Sequence, residues 1–263
     1  MVVTGGASGI GAALVRQHAA RGDVVYVADR DLARARALAA ELGERAHAVE
    51  LDVSRAEAFE AVLAQVLHAQ GRVDRLYNNA GINVIGDALL ATDVDIQRLL
   101  DVNMRSVLHG SLAAYRLMAR QGHGTIVNTA SAQGLGPAPA AALYTATKHG
   151  VVGFSLALRT EALSRHVQVC VACPGFVDTP IRDNTVYRGL DRQQFEQASM
   201  LRPMTADKCA AVIVQGADRG RAIIVIGWET RLLWWAMRAL PTLTVWVMSK
   251  VYTWRFRSAK AAA

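Results

Sequence analysis

Seven short apolar, β-branched runs alternate with longer stretches of helical periodicity, and this alternation limits the folds open to the chain more than any other feature. The runs lie at residues 1–4, 24–28, 46–51, 75–78, 125–129, 167–173 and 222–226. Helical spacing fills 9–21, 32–42, 54–70, 92–120 and 142–165, and resumes from Thr205. Ser54 reads as the N-cap of its helix, with Glu57 completing a capping box. Strands apolar on both faces must be covered on both, and the intervening helices supply the cover. Right-handed crossovers then join the seven runs into one doubly wound α/β domain around a parallel sheet.

Composition agrees. The 263 residues are 52% hydrophobic with 21 Gly and 6 Pro, which excludes a disordered or collagen-like chain. No linker or repeat divides residues 1–227, which read as a single domain; residues 228–263 form a C-terminal extension. Of the three cysteines, Cys170 and Cys173 fall in one strand run and point to opposite faces, so no disulfide framework is expected. Reduced thiols and the lack of a visible leader set a cytoplasmic expectation. The first run is short and begins at Met1, which leaves an upstream start open. The longest apolar stretch, 232–248, is broken by Arg238 and Pro241, so no spanning helix is expected.

The net charge is +7, which invites a nucleic-acid reading until it is located. Residues 230–263 carry six basic residues (Arg231, Arg238, Lys250, Arg255, Arg257 and Lys260) and no acid. Removing those six leaves +1 for residues 1–229. All five Trp also fall late, at positions 228, 234, 235, 246 and 254. The charge belongs to a Trp-rich tail, no recognition motif accompanies it, and nucleic-acid binding is not expected.

Glycines fill the turn between the first strand and first helix: Gly5, Gly6, Gly9 and Gly11, with Ser8 and Ile10 between them. Such a turn lets backbone N–H groups meet a pyrophosphate at the positive end of a helix. Asp29 ends the second strand, where a carboxylate can accept both ribose hydroxyls and repel a 2′-phosphate. That favours NAD, while Arg30 beside it leaves NADP open. Asp52, with Val53 after the third strand, reads either as an adenine contact or as a turn-capping Asp. Asn78, Asn79, Ala80 and Gly81 end the fourth strand at the carboxyl edge, where small residues permit close approach to a ribose. Tyr144 and Lys148 share one helix face, and Ser131 follows the fifth strand. A carbonyl–alcohol interconversion needs an acid/base. A Tyr, ordinarily near pKa 10, becomes one when an ammonium and a positive nicotinamide ring stabilise its phenolate. The His residues are scattered without metal-ligand spacing, so no metal is expected.

These motifs, with Asn103 and residues 174–179, resemble the classical short-chain dehydrogenase/reductase family over residues 1–227. The resemblance implies a Rossmann-like fold and NAD(P)-dependent hydride transfer between nicotinamide and a secondary alcohol or ketone. It implies Tyr144 as acid/base, Ser131 as the substrate positioner, and Lys148 on the nicotinamide ribose, tuning Tyr144. Asn103 would hold a relay water, and Pro174, Gly175, Val177 and Thr179 would meet the nicotinamide end. A homodimer or homotetramer is the family expectation. Residues 178–204 take the place of the substrate lid. They include Pro180, Ile181, Val186, Tyr187, Leu190, Phe195, Met200, Leu201 and Met204, which suit a lipophilic substrate. A dinucleotide-sensing protein on the same fold is the alternative, disfavoured because Asn103, Ser131, Tyr144 and Lys148 are all present. The tail has three readings: peripheral contact with a membrane surface through 230–263, packing on a partner or the lid, or capping of its own domain.

Overall fold

The computed structural model describes residues 1–197 and 202–256. In chain order the elements begin with β1 (Val2–Thr4), α1 (Gly9–Ala20), β2 (Val25–Asp29), α2 (Leu32–Leu42), β3 (Ala46–Glu50) and α3 (Ala56–Gln70). There follow β4 (Arg75–Asn78), β5 (Val84–Gly86), α4 (Asp93–Leu99), a π turn (Leu100–Arg105), α5 (Ser106–Gln121), β6 (Gly124–Thr129), α6 (Ala142–Ala162) and β7 (Val167–Pro174). The chain continues through β8 (Val177–Asp178), β9 (Val186–Arg188), α7 (Arg192–Gln197), β10 (Met204–Thr205), α8 (Ala206–Asp218), β11 (Ile223–Ile226), α9 (Trp228–Ala239) and α10 (Pro241–Phe256).

All seven expected strands enter one parallel sheet, in the order β11-β7-β6-β4-β1-β2-β3. Alternate residues feed opposite cores. Val3, Val27, Tyr77, Val127 and Cys170 meet α1, α2 and α8, whereas Val2, Tyr26, Leu76, Ile126 and Val169 meet α3, α5 and α6. Cys170 and Cys173 do lie on opposite faces, and all three thiols are free and buried. The order reverses between β1 and β4, so the loops leaving these strands diverge and open a crevice at the carboxyl edge.

Two helix boundaries differ from expectation. Ser54 does not cap α3, because its N–H and hydroxyl both donate to Asp52 Oδ1, at 3.0 and 2.7 Å, and the helix starts two residues later without a side-chain cap. The stretch expected as one helix over 92–120 starts at Asp93, under a Thr92–Asp95 capping box, and is interrupted by the π turn.

The segment expected as the lid is tied down, at its described residues, by ladders too short to have a readable period. Strand β9 pairs with β5, and β10 pairs with β8. Arg188 then closes a two-pronged ion pair on Asp95, Nε to Oδ2 and Nη2 to Oδ1, both at 2.9 Å. That guanidinium, with the Thr92 bonds, holds the Asp95 carboxyl well below the usual carboxylate range. Of the lid residues singled out above, Met200 and Leu201 lie outside the described residues.

Among the described residues, no helix is long and apolar enough to cross a membrane. Helix α9 seats Trp234 on the core around Val151 and Cys173, while Leu233 and Met237 close over Gly136. Helix α10 folds back so that Tyr252, like Phe195, packs against Leu190.

Candidate active site

The glycine turn is tight because its neighbours crowd it. Gly5 and Gly9 take φ of +60° and +50°, left-handed values that favour glycine. A Cβ on Gly11 would stand 2.0 Å from Gly5 O, and one on Gly5 would stand 2.9 Å from Ala80 Cα. Gly9 lies against Thr179, and Asn79 Nδ2 donates to Thr4 O at 3.2 Å. Predicted residues from three separate stretches of chain therefore converge here. Ser8 is the extended N-cap of α1, yet its side chain makes no capping bond and no acid enters the first turn. The first N–H groups of the helix, around Ile10, are thus left to an outside acceptor.

Asp29 faces this turn. Its Oδ2 accepts from Ala7 N and its Oδ1 from Asp31 N, each at 3.0 Å, which fixes the carboxylate beside the loop. Arg30 is exposed, and Asp52 is occupied with Ser54, whose two hydrogen bonds lower its pKa. Asp52 therefore does cap its own turn. Val53 turns its side chain into the core. The Arg30 charge also reaches Asp52 and helps lower its pKa.

Asn103 sits in the π turn and is fully buried. Its Oδ1 accepts from Ile82 N and its Nδ2 donates to Ile82 O, both at 2.9 Å. Both ends of the amide are committed to Ile82, so the side chain pins the Gly81–Ile82 turn. Gly81 lies beside Lys148: a Cβ there would be 3.7 Å from Lys148 Nζ.

Tyr144, Ser131 and Lys148 meet at the buried end of the cleft. Helix α6 presents Tyr144 and Lys148 on one face, with Lys148 Nζ 5.5 Å from the phenol ring centroid. Lys148 Nζ donates to Thr129 O at 2.9 Å, and Ser131 hydrogen-bonds the Tyr144 hydroxyl. Ser131 is oriented in turn by Gln133 N, which donates to its Oγ at 3.2 Å. Burial pushes Tyr144 up to about 12 against the opposing Ser131 bond, and pushes Lys148 down to about 8. Burial penalises the charged form of each group, the phenolate of Tyr144 and the ammonium of Lys148.

On the far side, Pro174 ends β7 and Gly175 N donates to Ile226 O at 3.1 Å. Thr230 Oγ1 would lie 2.7 Å from a Cβ on Gly175, so that glycine makes room for the first turn of α9. Val177 is buried in β8.

Further side chains, given no role by the sequence, hold the site together. Thr4 Oγ1 accepts from Asn79 N and Ala80 N, at 3.0 and 3.1 Å, welding the glycine turn to the β4 end. Beneath the site, Asn128 Oδ1 accepts from Asn78 Nδ2 at 2.8 Å and Ser111 Oγ at 3.1 Å, and its Nδ2 donates to Ser155 at 2.9 Å. An Asn inside an apolar strand run was the available signal, because such a group must find partners. Among the described residues no cluster of His, Cys, Asp and Glu could hold a metal ion.

The model of the short chain dehydrogenase family matches residues 1–188. SadH of Mycobacterium tuberculosis is 35% identical over 238 residues, covering 88% of this chain and 86% of its own. A 3-alpha-(or 20-beta)-hydroxysteroid dehydrogenase of the same organism is 37% identical over 182 residues, covering 69% and 70%. Among solved structures, a short-chain dehydrogenase from Streptomyces avermitilis superposes with a TM-score of 0.84 at 26% identity, covering 95% of each chain. A 3-ketoacyl-(acyl-carrier-protein) reductase from Brucella melitensis complexed with NADH gives 0.76 at 28%, covering 84% of this chain and 93% of that one. A Sphingobium yanoikuyae short-chain dehydrogenase in complex with NADPH gives 0.75 at 26%, covering 100% and 96%.

Proposed function

Since the chain belongs to the short-chain dehydrogenase family of NAD(P)-dependent oxidoreductases acting on CH–OH groups, we propose that it interconverts a lipophilic secondary alcohol and its ketone with NAD as the preferred cofactor. The observation that carries this reading is the Ser131–Tyr144–Lys148 cluster, in which Tyr144 and Lys148 are buried and Ser131 half-buried, together with the uncapped N-terminus of α1.

The residues present fit a dinucleotide. The glycine turn leaves no side chain between the α1 N–H groups and a pyrophosphate, and a Cβ at Gly5 or Gly11 would fill that cradle. Asp29 is held ready for ribose hydroxyls, and Gly81, Lys148 and Thr179 would border the nicotinamide half. When bound, the cofactor supplies the hydride acceptor or donor and, in its oxidised form, a positive ring.

The remaining chemistry belongs to the chain. Ser131 Oγ holds the substrate oxygen beside the Tyr144 hydroxyl. In reduction, Tyr144 Oη gives its proton to that oxygen; in oxidation it takes the proton back. Lys148 stabilises the phenolate left behind and orients the ribose, and Asn103 keeps the Gly81–Ile82 turn in place. Tyr144 is surrounded by Val84, Leu99 and Ala141, with Val186 of the lid packed on the same cluster. Those walls exclude water and favour an apolar substrate. Homodimeric or homotetrameric assembly is part of the same proposal and is readable by light scattering.

A panel of hydrophobic secondary alcohols and ketones, followed by absorbance of the reduced nicotinamide, tests the reading. Tyr144→Phe should still bind dinucleotide while losing about a thousandfold in kcat. Retained turnover in that variant would remove Tyr144 from the acid/base role.

A further inference from the structure

The C-terminal helices solve a packing problem on one side and create another on the opposite side. On α9, Thr230, Leu233, Trp234 and Met237 face the domain. Half a turn round, on the opposite face, Trp228, Leu232 and Trp235 are 71%, 63% and 64% exposed. On α10, Thr244, Met248, Val251 and Tyr252 turn inward, while Leu243, Trp246 and Trp254 are 51%, 57% and 70% exposed. The sequence pattern of α10 looks unpatterned because both of its faces are apolar. A helix apolar all round is covered all round, and this one is covered by the protein on one side alone.

The charges on that outer face identify what covers the other side. Arg231, Arg238 and Lys250 are exposed among the tryptophans, and no ion pair forms on them among the described residues. Arg238 stacks on Trp234 at 5.3 Å and Lys250 on Trp246 at 5.5 Å, geometries that keep each cation beside an aromatic ring. Glu229, the nearest acid in the chain, turns its Oε2 inward beside Gly227 and forms no ion pair with these cations among the described residues. Indole rings interleaved with basic side chains are the chemistry of the lipid headgroup layer. A second copy placed on the same patch about a two-fold axis would set these cations against each other without a compensating carboxylate. An anionic lipid surface supplies the missing charge. The helices have 12 and 16 residues, about 18 and 24 Å long, and each is too short to cross a hydrocarbon core of about 30 Å.

We propose that α9 and α10 form an interfacial platform that lays the protein on an anionic membrane surface, with Trp228, Leu232, Trp235, Trp246 and Trp254 entering the headgroup region. The platform touches the segments that border the active site. Leu233 and Met237 close on Gly136, in the loop after Ser131, and Tyr252 packs on Leu190 of the lid. A lipophilic substrate dissolved in the bilayer is thereby brought next to the lid. This last consequence rests on the oxidoreductase reading, whereas membrane binding itself does not.

The test is co-sedimentation of the full-length protein with vesicles of phosphatidylcholine and phosphatidylglycerol in equal parts, and with vesicles of phosphatidylcholine alone. The protein should pellet with the anionic vesicles, less so as salt is raised. Trp235→Glu with Trp246→Glu should abolish binding. Each of Arg231→Gln, Arg238→Gln and Lys250→Gln should weaken it about fivefold. All five positions are exposed, so circular dichroism and dinucleotide binding should be unchanged. Absence of vesicle binding by the wild-type chain would overturn the proposal. So would binding indifferent to lipid charge and to these substitutions, or Trp variants that change only the oligomeric mass and not vesicle binding. Because sedimentation does not depend on turnover, failure here is distinct from failure of the Tyr144 assignment.

Discussion

At the glycine-turn end of the cleft, binding is arranged by leaving side chains out. Gly5, Gly9 and Gly11 bring backbone N–H groups to the surface, and Asp29 adds one carboxylate fixed by two backbone donors. The Tyr144 end does the opposite, burying a phenol and an ammonium beside the half-buried Ser131 hydroxyl, where desolvation governs the protonation of Tyr144 and Lys148. The first end depends on shape and the second on charge. Shape fails when one atom is added, and charge fails when pH or a partner changes.

The sharpest way to break the first end is Gly11→Ala. Its Cβ would fall 2.0 Å from Gly5 O, which forces the turn open. Titrating dinucleotide by fluorescence should show affinity reduced about a hundredfold, the scale of a displacement near 1 Å at a positioning site. A variant that binds as tightly as the wild type would mean that the turn is not the pyrophosphate cradle.

At the second end the weak point is Lys148, lowered to about 8 by burial. The protonated form supports the phenolate, so kcat/KM should be sustained below that pH. It should fall about tenfold per pH unit above it, since kcat/KM reports groups of the free enzyme. Lys148→Arg, which stays charged, should remove that limb at reduced overall rate. A pH profile flat well beyond pH 8 in the wild type would show that the Lys148 proton is not required.

These two ends were unequally legible in the sequence. Glycine spacing, Asp29 and the Tyr144–Lys148 pair are local patterns, so residue order alone places them. The seven strands were legible for the same reason: each is a short apolar run between helical stretches. The parts that escaped depend on long-range contacts. Strand β9 meets β5 across about a hundred residues of chain in a three-residue ladder, and no periodicity announces a pairing so short. Helical spacing runs unbroken through residues 100–105, so the π turn that buries Asn103 leaves no trace in the pattern. Ser54 fits a cap by type, but Asp52 competes for its hydroxyl and wins. The Trp-rich tail showed its charge in the sequence. Which tryptophans turn outward needed the fold.

Asp29→Ala would sharpen the comparison at intermediate scale. Two ribose hydroxyls donating to a carboxylate are charge-assisted bonds, so KM for NAD should rise on the order of tenfold, with NADP nearly unaffected. An unchanged preference would assign cofactor choice elsewhere, with exposed Arg30 the next residue to vary.

The smallest effect is expected where neither end is touched. The Arg188–Asp95 pair ties β9 to α4, and Arg188 is partly exposed, so the pair acts as a tether screened by solvent rather than as a large store of stability. Asp95→Asn removes the charge and keeps the shape, which should raise KM for the substrate several-fold and leave kcat nearly unchanged. Stability should respond in acid. Because the Asp95 carboxyl is held below its ordinary value of 3.8, its contribution is complete above that pH and is lost as pH falls through the lowered value. The acid limb of unfolding should therefore be shallower in Asp95→Asn than in the wild type. A fall in kcat equal to the rise in KM would instead mean that the tether reaches Tyr144 through the Val84–Val186 contact, and the lid would then belong with the charge-governed end of the cleft.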